Sequence, residues 1–146
     1  MFIGQYFGNL GEKRRIAVPK KFRIALGEKM IVARWYEKCL VLLPEGSWSA
    51  LLTKVFGDTK NITQSIRDTE RFLLSSAYEL DPDDQGRVIL PDILCEYASL
   101  TDEVVFLGLS DRVEIWNKTD WQTREAYVSE KASELLENLA QSKTNE

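Results

Sequence analysis

Six basic side chains crowd one short stretch of the chain: Lys13, Arg14, Arg15, Lys20, Lys21 and Arg23. The chemistry open to them is recognition of anions. An ammonium group neutralises a phosphate as a point charge, while a guanidinium forks onto a phosphate or a guanine edge with two parallel N–H donors. Between Glu12 and Lys29 seven basic residues meet two acidic ones, a local balance of +5 in a chain whose formal net charge is −4. A cationic face of that density reads as a phosphate cradle, with a solvated charged face as the competing reading.

Other chemistries find little support. Histidine is absent, which removes Ser-His and Cys-His nucleophile systems and imidazole-dependent zinc sites. No GxxxxGK[ST] or GxGxxG phosphate loop occurs, so no nucleotide cofactor is implied. Asp81, Asp83 and Asp84 cluster in a Pro-containing turn, where solvated carboxylates are the simpler reading and Arg87 would compete with any cation. Cys39 and Cys95 are far apart and read as reduced, buried thiols. The expectation is a protein without catalytic residues, cofactor, metal or small-molecule substrate.

The elements that must position the basic cluster are written twice. RRIAVPKKFRIAL from Arg14 is echoed by GRVILPDILCEYA from Gly86, so that Arg15 matches Arg87, Val18 matches Leu90 and Pro19 matches Pro91. The offset of 72 becomes 73 beyond Leu26 and then holds through IVARW and CLVLLP against VVFLGL and VEIW, up to Trp48 and Trp121. Such repetition predicts two copies of one βαββ unit about a pseudo-two-fold axis. The copies differ in surface charge, because Asp81 to Glu103 carries seven acidic residues against Arg87 alone, a balance of −6.

Within each unit, local signals punctuate the chain. A strand over Phe2 to Leu10, a turn at Gly11 to Arg14 and a short strand over Ile16 to Val18 lead to Pro19. Proline suits the first turn of a helix, and Gly27 suits its end, so a helix is predicted over Lys20 to Leu26. A hairpin follows with its turn at Tyr36 to Lys38, and then a helix with Trp48, Leu51, Leu52, Val55 and Phe56 on one face. Gly57 to Asn61 reads as a linker and Ile62 to Ser76 as a connecting helix. Thr119 to Gln122 reads as a capping box opening a long helix with Trp121, Val128, Ala132, Leu135 and Leu139 on one stripe. The domain reading is 1–56 for the first repeat, 57–76 for the linker and connecting helix, 77–140 for the second repeat and 141–146 for a disordered tail. No run of 18 apolar residues exists, and MFIGQYFGNLGEKRR lacks the pattern of a secretory signal, so a cytoplasmic protein away from membranes is expected.

Five segments in order resemble the MraZ family of bacterial transcriptional regulators: MFIGQYFGNL, RRIAVPKKFR, CLVLLPEGSW, RFLLSSAYELDPDDQGRVILP and DRVEIWNKTDW. The resemblance implies an α+β fold in which tandem βαββ repeats form an AbrB-like swapped-hairpin β-barrel within one chain, flanked by amphipathic helices. It also implies a nucleoid-associated, ring-like homo-oligomer that binds repeated short G-rich boxes of double-stranded DNA upstream of its own division and cell-wall gene cluster. An AbrB-like protein-interaction module, antitoxin-like or docking, is the alternative.

The family signature, Asp-x-x-x-Arg in each repeat, is intact as Asp83 and Arg87. In the first repeat Gly11 stands in the place of the Asp, Glu12 beside it, and Arg14 in the place of the turn glycine. We therefore expect Arg87 to be held by Asp83, Arg15 to read a base, and Lys13 and Lys20 to contact phosphates. Arg14, strained at a left-handed position, is expected to add a phosphate contact. The turn and the following helix are expected to converge on one groove, and the basic face of one subunit to meet the acidic face of the next.

Overall fold

In the computed structural model, residues 1–57 and 62–144 are described. Eight strands and five α-helices follow in the order β1 (Phe2–Asn9), β2 (Arg15–Ala17), α1 (Lys20–Leu26), β3 (Met30–Arg34), β4 (Leu40–Pro44), α2 (Trp48–Phe56), α3 (Gln64–Leu74), β5 (Tyr78–Leu80), β6 (Arg87–Ile89), α4 (Asp92–Tyr97), β7 (Glu103–Ser110), β8 (Val113–Asn117) and α5 (Lys118–Thr144). The main sheet is antiparallel, in the order β1-β7-β8-β4-β3-β5, and β2 pairs with β6 as a separate ribbon. Exchanging the repeats turns that order into its own reverse, with the pseudo-two-fold between β8 and β4. Each repeat also gives its first strand to the other: β1 pairs with β7, and β5 with β3.

The expected barrel is not closed. The ladder ends at β1 and β5, which do not pair with each other among the described residues, while β2 and β6 pair only between themselves. Closure fails because β5 has three residues and pairs only along Met30 to Val32 of β3. The architecture is mixed α+β with exchanged strands and an open sheet.

Both faces of the sheet are covered, and this explains why its strands read as unbroken apolar runs rather than alternating ones. Along β7, Val104 and Phe106 join one core with Phe22, Leu26, Ile16, Val88 and Leu94, while Val105 and Leu107 join a second core with Trp35, Trp48, Leu51 and Leu73. The first core is roofed by α1, α4 and the ribbon, the second by α2, α3 and the start of α5. Cys39 and Cys95 are buried free thiols, one in each core. Burial pushes both thiols above their ordinary range, and for Cys39 the Glu114 carboxylate pushes the same way.

Two helix ends depart from expectation. Asn117, the last residue of β8, caps α5 by accepting from the Asp120 amide at 3.1 Å, so Thr119 lies inside the helix rather than capping it. Strand runs straight into helix there, leaving no loop for a later cap. The helix also continues to Thr144, through most of the tail expected to be disordered; residues 145–146 lie outside the described residues. Only its first turns pack, Trp121 against Trp116 at 5.5 Å between ring centroids, and Leu135, Leu136 and Leu139 are exposed. Of the expected linker, Gly57 caps α2 through its amide to Thr53 O at 2.7 Å, and residues 58–61 lie outside the described residues.

Candidate nucleic-acid interface

The β2–β6 ribbon gathers one strand from each repeat. Arg15 stands opposite Ile89, and Ala17 opposite Arg87. Side chains alternate along a strand and face the same way across a pair, so Arg15, Ala17, Arg87 and Ile89 share one face. The other face carries Ile16 and Val88, both buried in the core. Apolar residues thus anchor the back of the ribbon and turn its two arginines outward, diagonal neighbours related by the pseudo-two-fold. Both remain half-exposed.

The turns that feed the two strands differ in what they do with those arginines. In the second repeat Asp83 is a hub. Its Oδ1 accepts from the amides of Gln85 and Arg87, and its Oδ2 from Arg87 Nε, each at 2.9 Å. The Arg87 amide foremost, with the guanidinium and the Gln85 amide behind it, holds the Asp83 carboxyl below the usual carboxylate range against partial desolvation. Gly86 closes the turn at φ +74°.

In the first repeat the backbone bond survives, Gly11 N to Arg15 O at 2.7 Å matching Asp83 N to Arg87 O at 3.0 Å, but the carboxylate is missing. The turn becomes a tight two-residue one with both Lys13 and Arg14 at φ 58°. A left-handed L-residue costs on the order of 1–2 kcal/mol. Arg14 recovers part of that cost across the repeat boundary: its Nε donates to Leu90 O at 2.9 Å and its carbonyl accepts from Leu90 N at 2.9 Å. This compensation within the chain comes from the second repeat's backbone.

Arg23 is also drawn inward. It lies on Gly86, so close that a Cβ there would sit 1.9 Å from Arg23 Nη1 and 2.1 Å from its Cδ. Its Nε is buried without a hydrogen-bond partner. Arg14 and Arg23 are therefore both struts between the repeats, and Arg14 stays exposed beyond its Nε. Lys13, Lys20 and Lys21 are exposed, and neither their side chains nor that of Arg15 makes a hydrogen bond or ion pair among the described residues.

The turn and α1, expected to converge on one groove, stand at opposite ends of the ribbon. Arg14 meets Leu90 at one end of the ribbon, and Val18 N meets Gly86 O at the other at 3.0 Å. Four residues of strand separate the two ends, roughly 13 Å, comparable with the roughly 12 Å width of a major groove. Beside the α1 end lies a hollow of about 480 Å³ lined by Lys20, Lys21, Arg23, Phe7, Asn9 and Gln85, with no carboxylate in its wall. On the other flank a hollow of about 290 Å³ holds Arg15 and Arg87 with Glu79, Asp81 and Asp83.

A third hollow, of about 580 Å³, sets Lys20 and Arg23 opposite Asp81, Asp83 and Asp84. Basic and acidic surfaces expected to meet between subunits thus already face each other within one chain. Phe7, Asn9 and Gln85 are additions to the sequence-derived site. Only Gln85 had a signal, as the counterpart of Lys13 at an offset of 72. Among the described residues no cluster of three His, Cys, Asp or Glu side chains is arranged to hold a metal, and no helix is long and apolar enough to cross a membrane.

Comparison with known proteins agrees with this two-fold construction. The family described as "MraZ protein, putative antitoxin-like" matches the chain twice, over residues 1–72 and 73–143. The chain belongs to the MraZ family. MraZ relatives named "Transcriptional regulator MraZ" align over nearly the whole length. That of Desulforamulus reducens is 37% identical over 142 residues, covering 95% of this chain and 97% of the relative. That of Clostridium acetobutylicum is 40% identical over 141 residues, covering 92% and 99%.

Proposed function

We propose that this MraZ-family protein is a sequence-specific DNA-binding transcriptional regulator whose β2–β6 ribbon lies in the major groove of double-stranded DNA. The observation that carries the reading is the ribbon itself: Arg15 and Arg87 face outward from an apolar back, and unpartnered Lys13 and Lys20 stand at its two ends. A two-stranded ribbon fits a major groove, arginine is the best bidentate reader of guanine, and lysines at the ends would meet the two phosphate backbones. Arg15 reads a base, Lys13, Lys20 and Lys21 contact phosphates, and Arg87, tied to Asp83, is mainly structural.

In this reading residues 1–56 and 77–140 are the two repeats, joined through 57–76. A ring-like oligomer sets several ribbons along one DNA molecule, so that weak contacts multiply through effective concentration and an acidic protein still binds. The target is repeated short G-rich boxes upstream of its own division and cell-wall gene cluster, which places the protein at the nucleoid. Footprinting on the DNA upstream of its own gene tests this, with protected guanine-rich repeats as the expected result. A protein-docking role, favoured by the exposed Leu135, Leu136 and Leu139 of α5, predicts no protection and no salt-dependent affinity for duplex DNA.

A further inference from the structure

The two ribbon arginines are equivalent in position and unequal in support. Arg87 is held at Nε by Asp83 Oδ2 at 2.9 Å, which fixes its direction and leaves both Nη groups for another acceptor. Arg15, its counterpart at an offset of 72, has Gly11 at the place of that carboxylate. Its side chain has no hydrogen bond or ion pair among the described residues, although Glu79, Asp81 and Asp83 line the same hollow.

Nothing in the backbone requires glycine at position 11. Its φ of −92° and ψ of −165° are open to any residue, and a Cβ would meet nothing nearer than Arg15 O at 3.5 Å. The Gly11 N to Arg15 O bond that frames the site is already made. The missing carboxylate is therefore separable from the fold.

Support matters because specificity is a difference between right and wrong partners. An arginine held in one direction loses its contact outright when guanine is replaced. A mobile one swings to a neighbouring base or phosphate and recovers part of the loss, so it discriminates less. We propose that Gly11 is a specificity-determining position, which by leaving Arg15 without a carboxylate support relaxes the choice of base beneath it. The inference rests on the DNA-binding reading above and names the residue that tunes it.

The test is selection from a pool of randomised duplexes with the full-length protein and the variants Arg15→Ala, Gly11→Asp and Gly11→Asn. Arg15→Ala identifies the base position that Arg15 reads, as the one whose preference it erases. Gly11→Asp should sharpen guanine enrichment at that position by about two- to tenfold, the equivalent of ordering one long side chain in advance. Its extra negative charge should weaken binding to random DNA at the same time.

Gly11→Asn carries the same backbone demand without the charge and should leave the enrichment as it was. Equal sharpening by both variants, or none by Gly11→Asp, overturns the inference while leaving the DNA-binding reading intact. If Arg15→Ala erases no preference, Arg15 reads no base and the inference falls with that assignment. If the unaltered protein enriches nothing, both readings fall. Failure of both position-11 variants to fold would overturn the premise that this position accepts a side chain.

Discussion

Replacing Gly86 by alanine should reveal how tightly the two repeats are clasped. Two costs can be worked from the geometry. Gly86 sits at φ +74°, where an L-residue costs roughly 1–2 kcal/mol. The new Cβ would also land 1.9 Å from Arg23 Nη1 and 2.1 Å from its Cδ. Because Cδ belongs to the stem, the whole side chain must leave its seat, an overpacking penalty of about 1–3 kcal/mol. Together these give roughly 2–5 kcal/mol, and with ~2–4 °C per kcal/mol for a domain near this size the melting temperature should fall by at least about 4 °C.

The decisive measurement is a double-mutant cycle in urea. With Arg23 already truncated by Arg23→Ala, Gly86→Ala should cost only the backbone part, roughly 1–2 kcal/mol. The coupling energy of about 1–3 kcal/mol is then the measure of the contact. An equal cost in both backgrounds would refute the packing of Arg23 on this turn, and with it the assignment of Arg23 as a strut.

Three further outcomes are expected. Arg15→Ala should cost about 1–3 kcal/mol on the preferred duplex and less on random DNA, whereas Lys20→Ala should weaken both alike and make the salt slope shallower by roughly 1; fluorescence anisotropy titrations across a salt series report both. Because the folded-state pKa of Asp83 is depressed below its unfolded value of about 3.9, its contribution to stability is complete above that value and is lost as pH falls through the folded one. Asp83→Asn should therefore flatten part of the acid loss of melting temperature below about pH 4, the remainder belonging in part to Asp111, shifted the same way chiefly by its hydrogen bond from Lys54. Both thiols, raised by burial, should resist a thiol reagent at mildly alkaline pH until denaturant is added, and rapid labelling of the folded protein would contradict the core placement of Cys39.

Much of the local structure was legible because single residues punctuate it. Pro19 and Gly27 bound α1 at Lys20 and Leu26, where it is found, and the repeat offset foretold the two-fold order of the sheet. The Asp83–Arg87 pair could be read from a four-residue spacing across one turn. What could not be read lies across the repeat boundary. Nothing local to Arg14 says that its guanidinium will meet Leu90 O, and nothing local to Arg23 says that it will lie on Gly86. Both looked like free cations because their partners are about 70 residues away and are a carbonyl and a glycine, groups without charge to signal them. The end of the sheet was likewise hidden, since β5 begins only at Tyr78, the counterpart of Tyr6, whereas β1 begins at Phe2, whose counterpart Leu74 is still in α3.

The exchange of β1 and β5 between the repeats has a consequence for how the chain reaches this structure. When the first repeat leaves the ribosome, β3 has no edge partner and β2 has none at all. Ile16 and Val18 stay uncovered until Arg87 to Ile89 have been made. Neither half can complete its own core, so folding waits on contacts of long sequence separation, the kind that form slowly. A chain cut between the repeats would have one good way to bury those strands, which is to borrow them from a second molecule. The two halves of this protein thus keep, within a single polypeptide, the mutual dependence of two subunits that cannot stand apart.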